Sequence, residues 1–203
     1  MNELNTIIKF VEGDITIAEF MDQLKKELEL QQYLRENMPK TLLRFRDIEI
    51  SNNDIVDCLQ KTFCWKKIGD ALSIHYLVKT WLKENNILAK PTEIYSEKFG
   101  FLLDVKPDYI NGEQAESLID EIIQSVPETM PKTKRIKEIK AKIKEAFHVE
   151  DRKYPRWAQD TDWPFSKTDK PLKYVSRKTD GDLVQHTFVD VDTGDETIVE
   201  EFY

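Results

Sequence analysis

Three histidines, two cysteines and a dense run of carboxylates are the residues of this chain best suited to chemistry. His75, His148 and His186 fall on three different predicted elements. Cys58 and Cys64 lie six residues apart, which on a single helix sets them on roughly opposite sides. A zinc site wants about four ligands, usually at close paired spacings. Neither cysteine has that spacing or a nearby histidine pair, so no metal is expected. A nucleophile–base pair of Cys58 or Cys64 with His75 is open in principle, because such partners need not be neighbours in sequence. No local motif accompanies either cysteine, and a buried helical cysteine is a common structural residue. The chain holds neither G-x-x-x-x-G-K-[ST] nor G-x-G-x-x-G, which sets aside nucleotide binding by those routes. No catalytic residue and no cofactor are expected.

The carboxylates are the sharper feature. From Thr179 to Tyr203 there are eight acids, Asp180, Asp182, Asp190, Asp192, Asp195, Glu196, Glu200 and Glu201, and no lysine or arginine. Asp190 to Glu196 invites a calcium reading, since hard cations want clustered oxygens. An EF-hand loop needs flanking helices, however, and here the flanks alternate like strands, which favours a solvated hairpin tip. The acidic end then has two compatible roles. It keeps sheet edges from pairing with other chains, and it offers a docking surface that steers a basic partner. Trp157 and Trp163, in a proline-containing loop, either plug a core or anchor an interface. Candidate contacts are therefore Asp190, Asp192, Asp195, Glu196, Glu200, Glu201, Trp157 and Trp163.

Charge elsewhere narrows the partner. The chain of 203 residues carries a net charge of −8, with 40% hydrophobic and 33% charged residues, a globular balance. Residues 132–153 run the other way, with nine basic against four acidic residues. Ile136, Ile139, Ile143 and Phe147 fall on one stripe there, so an amphipathic helix with a solvated lysine face explains the basic run. An acidic surface repels phosphates and membrane surfaces, and neither nucleic acid nor membrane is expected as a partner. No apolar run approaches the ~20 residues that span a bilayer. Residues 1–10 lack the pattern of a secretory signal. With two unpaired cysteines, that points to the cytoplasm.

The elements that must position these residues read as follows. Thr16-Ile17-Ala18-Glu19 is a capping box, opening a helical region with Phe20, Met21, Leu24, Leu28 and Leu34 at near-helical period, closed by Pro39. Ile48 and Ile50 suit a short extended piece. Asn52 or Asn53 caps a second helix with Ile55, Val56, Leu59 and Phe63. A third spans about Ile68 to Asn85, burying Leu72, His75, Tyr76, Trp81 and Leu82. A fourth follows Pro91-Thr92 with Ile94, Tyr95, Phe99 and Leu102 inward. Pro107 and Asn111-Gly112 turn the chain into a fifth from Glu113, burying Ala115, Leu118, Ile119, Ile122 and Ile123. Pro127 and Pro131 precede the sixth, the lysine-faced helix. Near Tyr154 helical periodicity stops and β-formers rise. A loop to Lys170 leads into three strands, Leu172–Arg177, Leu183–Val191 and Thr197–Phe202. Their hairpin turns are Thr179-Asp180-Gly181-Asp182 and Asp192-Thr193-Gly194-Asp195. The fold class is α+β: a helical body over 1–150 and a Trp/Pro loop with an antiparallel meander over 151–203. The sheet is too small to stand alone, so it is expected to pack on the helices in one compact unit.

Pro155-Arg156-Trp157-Ala158-Gln159, then Asp162-Trp163-Pro164, then Lys170-Pro171-Leu172-Lys173-Tyr174-Val175 follow a pattern of P-x-W-x-Q, a short spacer, W-P, a glycine-containing turn, and K-P-L-x-[FY]-V. This resembles the C-terminal module of small bacterial proteins associated with polymorphic toxin systems, taken to be immunity proteins. Phe10 to Phe20 is similar to the start of some of them. The chain departs from the pattern at Asp169, where glycine is expected before Lys-Pro. The resemblance implies a non-enzymatic protein that binds and neutralises a cognate toxin domain. It carries over no contact residues. A protein–protein adaptor unrelated to toxins fits the same residues.

Overall fold

The computed structural model describes residues 3–38 and 55–203, without the side chains at positions 61 and 62. The expected extended piece at Ile48 and Ile50, the cap at Asn52 or Asn53 and the stop at Pro39 lie outside the described residues. Contacts divide the chain into two compact units, Met1–Phe101 and Leu102–Tyr203. The fold is α+β, with eight α-helices among the described residues and a three-stranded antiparallel sheet at the C-terminal end.

The first unit is helical. Helix α1 (Glu3–Glu12) carries Ile7, Phe10 and Val11 on a fully buried stripe. It ends in a Schellman arrangement, with the Asp14 amide donating to the Lys9 carbonyl and the Gly13 amide to Phe10. This helix is additional to those expected from the sequence, although Ile7, Phe10 and Val11 have helical spacing. Helix α2 (Ile17–Lys26) opens on the expected capping box: the Glu19 amide donates to Thr16 Oγ1 and the Thr16 amide to Glu19 Oε2. The helical region then breaks at Glu27, whose φ of −101° and ψ of 104° are extended, before α3 (Leu28–Asn37). The Leu24 carbonyl accepts from the side-chain amides of Gln31 and Gln60, which hold the break. It resets the buried face, so Leu30 and Leu34 are inside and Leu28 is exposed.

Helix α4 (Ile55–Asp57) runs into a single π-turn over Cys58–Thr62, so the expected second helix is short and irregular. Helix α5 (Ile68–Glu84) buries Ile74, His75, Val78, Trp81 and Leu82 but leaves Tyr76 exposed. Phe10 stacks on Phe20 with centroids 4.4 Å apart, and His75 and Tyr95 close the cluster. Helix α6 (Ile94–Val105) turns Tyr95 inward and Ile94 outward, and the boundary between the units falls within it.

In the second unit, α7 (Glu113–Ser125) buries Ala115 and Ile119, and α8 (Lys132–Ala146) buries Ile139 and Ile143. Strands β1 (Lys173–Asp180), β2 (Leu183–Val189) and β3 (Glu196–Phe202) form a meander in the order β1-β2-β3. The compact unit thus begins well before residue 150, where the sequence changes character. The cause is packing. Tyr174, Val184 and Phe188 on the sheet and Trp163 in the loop are buried, and Phe147 at the end of α8 meets the Trp163 ring edge-on with centroids 5.4 Å apart. Without that cover the three strands would expose their apolar side to water.

Candidate interaction surface

Strand alternation sorts the candidate residues onto two faces of the sheet. On β2, Val184, His186 and Phe188 are buried, and the register places Glu201, Val199 and Thr197 of β3 beside them. The opposite face carries Leu183, Gln185, Thr187 and Val189 of β2 against Phe202, Glu200, Ile198 and Glu196 of β3.

The inner face holds a buried polar lock. Glu201 is 2% exposed. Its Oε1 accepts from the Gln159 amide at 2.9 Å and Thr161 Oγ1 at 2.6 Å. Its Oε2 accepts from the Ala158 amide and lies against His186 Nε2, each at 2.9 Å. Burial by itself pushes this carboxyl up, but the hydrogen bonds from Thr161, the two amides and His186 outweigh it and hold the group below the ordinary carboxylate range. An ionised carboxylate only accepts, so His186 carries its proton on Nε2. Burial holds His186 below the usual imidazole range, against the upward pull of Glu201. Its Nδ1 is buried with no hydrogen-bond partner among the described residues. Trp157 stacks against Phe188 with centroids 5.9 Å apart, and its indole donates to the Tyr109 carbonyl at 2.9 Å. Trp163 donates to the Leu172 carbonyl at 2.9 Å.

Three of the expected contacts are therefore turned inward. Glu201 and Trp163 are buried and Trp157 is half-buried, because the loop's amides and indoles find their partners on the sheet and its surroundings. Trp157, Gln159 and Trp163 seat the loop on the sheet and its surroundings. Gln159 adds a bond from Nε2 to the Phe202 carbonyl at 2.9 Å. Asp169 adopts a φ of 59°, the left-handed conformation glycine takes without cost, at the position where the pattern has glycine.

The other acids stay at the surface. Asp190 is half-buried at the base of the β2–β3 hairpin, where its Oδ1 accepts from the Asp192 amide. Asp192 pairs with Lys170 at 2.6 Å, so a lysine from outside the acidic run offsets one of its charges. Asp195 and Glu196 are exposed, and Glu200 accepts from Gln185 Nε2 at 2.8 Å. Ile198, between Glu196 and Glu200, is 56% exposed and Phe202, beyond Glu200, 60%, with Val191 also exposed at the hairpin tip.

The other reactive groups considered from the sequence, His75, Cys58 and Cys64, belong to the first unit. His75 is buried with its Nε2 3.0 Å from the Val11 carbonyl, Cys58 is buried and Cys64 exposed. Among the described residues no three His, Cys, Asp or Glu side chains converge as a metal site would require, and no helix is long and apolar enough to cross a membrane. The lysine face of α8 is solvated, with Lys132 and Lys144 pairing to Asp104 and Asp151. Comparison with known proteins finds no matching family model, no matching curated protein and no matching solved structure.

Proposed function

We propose that this chain is a non-enzymatic, immunity-type protein that binds and neutralises a cognate bacterial toxin domain through the outer face of its C-terminal sheet. The observation that carries the reading is the composition of that face. Two large apolar side chains stand in solvent there, Ile198 between Glu196 and Glu200 and Phe202 just beyond Glu200, with Asp195 at the other end. Apolar anchors supply binding energy at the centre of an interface, and the surrounding charges set orientation and on-rate. A toxin domain that handles nucleic acid carries a basic active-site surface, and carboxylates can occupy it as phosphates do. The buried Glu201–His186 lock keeps β3 fixed to the loop, so the face is presented on a rigid support.

Co-expression tests the reading. The reading predicts a toxin gene immediately upstream; its C-terminal domain is produced with and without this chain, and cell survival and complex formation are measured. Protection with a stoichiometric complex is expected, lost when Glu196 and Glu200 are both changed to lysine. A stoichiometric partner that is not toxic moves the protein to the adaptor class. Protection unchanged by the double reversal removes this face from the account.

A further inference from the structure

The outer edge of β3 is an open strand edge of defined register. Strand β3 ends the sheet order β1-β2-β3. The Tyr203 amide donates to the Asp182 carbonyl at 3.0 Å, and the Asp190 amide to the Asp195 carbonyl at 2.9 Å. Hydrogen-bonded pairs alternate along an antiparallel ladder, and β2 pairs with β3 without a register shift. The residues of β3 bonded to β2 are therefore Thr197, Val199 and Glu201. Glu196, Ile198 and Glu200 turn their amides and carbonyls away from β2. Among the described residues these groups have no hydrogen-bond partner, while the Phe202 carbonyl is already capped by Gln159. The free edge thus runs from Glu196 to Glu200.

We infer that this edge takes up an extended segment of the partner as a fourth, antiparallel strand, with an alternating apolar-x-basic-x-apolar-x-basic sequence. Strand addition uses main-chain hydrogen bonds for affinity and alternate side chains for selectivity. The outward-bonding residues of β3 are also those whose side chains lie on the outer face, so the added strand places a side chain directly opposite each. Glu196 and Glu200 call for cations, and Ile198 and Phe202 for apolar groups. Charge disfavours a second copy of this strand. A two-fold pairing about Ile198 sets Glu196 against Glu200 at both ends, one about Glu200 sets that carboxylate against itself, and the register between leaves all four acids at diagonal spacing. The β1 edge is a poor alternative, because the ladder shifts between Tyr174 and Ser176.

The inference rests on the immunity reading for the partner's identity, but it is tested without the toxin. The probe is a capped heptapeptide in the order valine, threonine, lysine, threonine, valine, threonine, lysine. The readout is amide hydrogen exchange in the full chain. The peptide is expected to slow exchange at Ile198 and Glu200 at least tenfold, and a version N-methylated at the residues facing the edge to leave both unchanged. Ile198→Pro removes one outward amide without touching the β2 ladder, and is expected to abolish protection at Glu200. If that variant loses β2 amide protection and so fails to fold, Glu200→Lys replaces it, with the same expected loss. No protection at peptide saturation overturns the inference, as does equal protection by the methylated peptide. Protection that grows with protein concentration in the absence of peptide also overturns it, because a second copy then fills the edge. Toxin neutralisation without edge protection refutes strand addition alone, and edge protection without a toxic partner refutes the immunity reading alone.

Discussion

Replacing Glu201, itself buried, with alanine removes the acceptor of four hydrogen bonds at once and leaves its donors behind. The Ala158 and Gln159 amides, the Thr161 hydroxyl and His186 Nε2 all point at its two oxygens. Breaking a buried, hydrogen-bonded charge by removing one partner costs about 3–5 kcal/mol. With a urea m-value of about 2 kcal/mol/M, the unfolding midpoint of the C-terminal unit should fall by about 2 M. Glu201→Gln separates charge from shape. Each carboxylate oxygen meets two donors, so the glutamine NH2 faces donors whichever way it is turned. His186 can relieve its side by moving the proton to Nδ1, but one backbone amide remains opposed, at a cost of about 2 kcal/mol. Its midpoint should fall by about 1 M. The assay is urea unfolding followed by the amide resonances of β2 and β3, because tryptophan fluorescence also reports Trp65 and Trp81 in the other unit. A shift for Glu201→Ala below about 0.3 M would show that the lock does not hold the sheet to the loop.

Further outcomes follow from the same packing. Burial holds His75 and His186 below the ordinary histidine value of 6.5, so the unfolded chain takes up protons first as the pH drops. Stability is therefore full above that value and declines as acid is added, and Glu201, held below its ordinary 4.5, adds a second loss beneath it. Urea midpoints at pH 7.5 and pH 5 that coincide would contradict this. Gly112 has a φ of 104°, and a methyl there would sit 2.9 Å from Asp162 Cγ; Gly112→Ala should cost about 2 kcal/mol, read as a lowered melting temperature. Asp169→Gly should stay within about 0.5 kcal/mol of the parent, because relief at a φ of 59° offsets the lost bond from Gln114, whereas Asp169→Val should lose more than about 1 kcal/mol. Thermal melts of the pair decide it.

Most elements were legible because their periods are clean. Ile139, Ile143 and Phe147 mark α8, and the two glycine-containing turns bracket β2, whose burial alternates residue by residue. The break at Glu27 was not legible. No proline or glycine stands there, and the side chains that hold it come from Gln31 and Gln60, the second distant in sequence. The inward turn of Glu201 was hidden for a related reason. Ile198, Val199 and Phe202 do not alternate, so β3 gives no clear parity, and counting acids treats a buried carboxylate like an exposed one. The division within α6 was not legible, because residue types change near Tyr154, whereas the cover for the sheet comes from Phe147 and the helix before it.

The outer face of β3 is expected to meet a toxic, basic partner. Titration calorimetry of the toxin domain that the proposed function predicts, against the parent chain and the Glu196→Lys, Glu200→Lys double variant, tests this most directly. A one-to-one complex with the parent, weakened at least a hundredfold by the double reversal while the urea midpoint holds, is the predicted result. Equal affinity for both chains, or no binding to either, would contradict it.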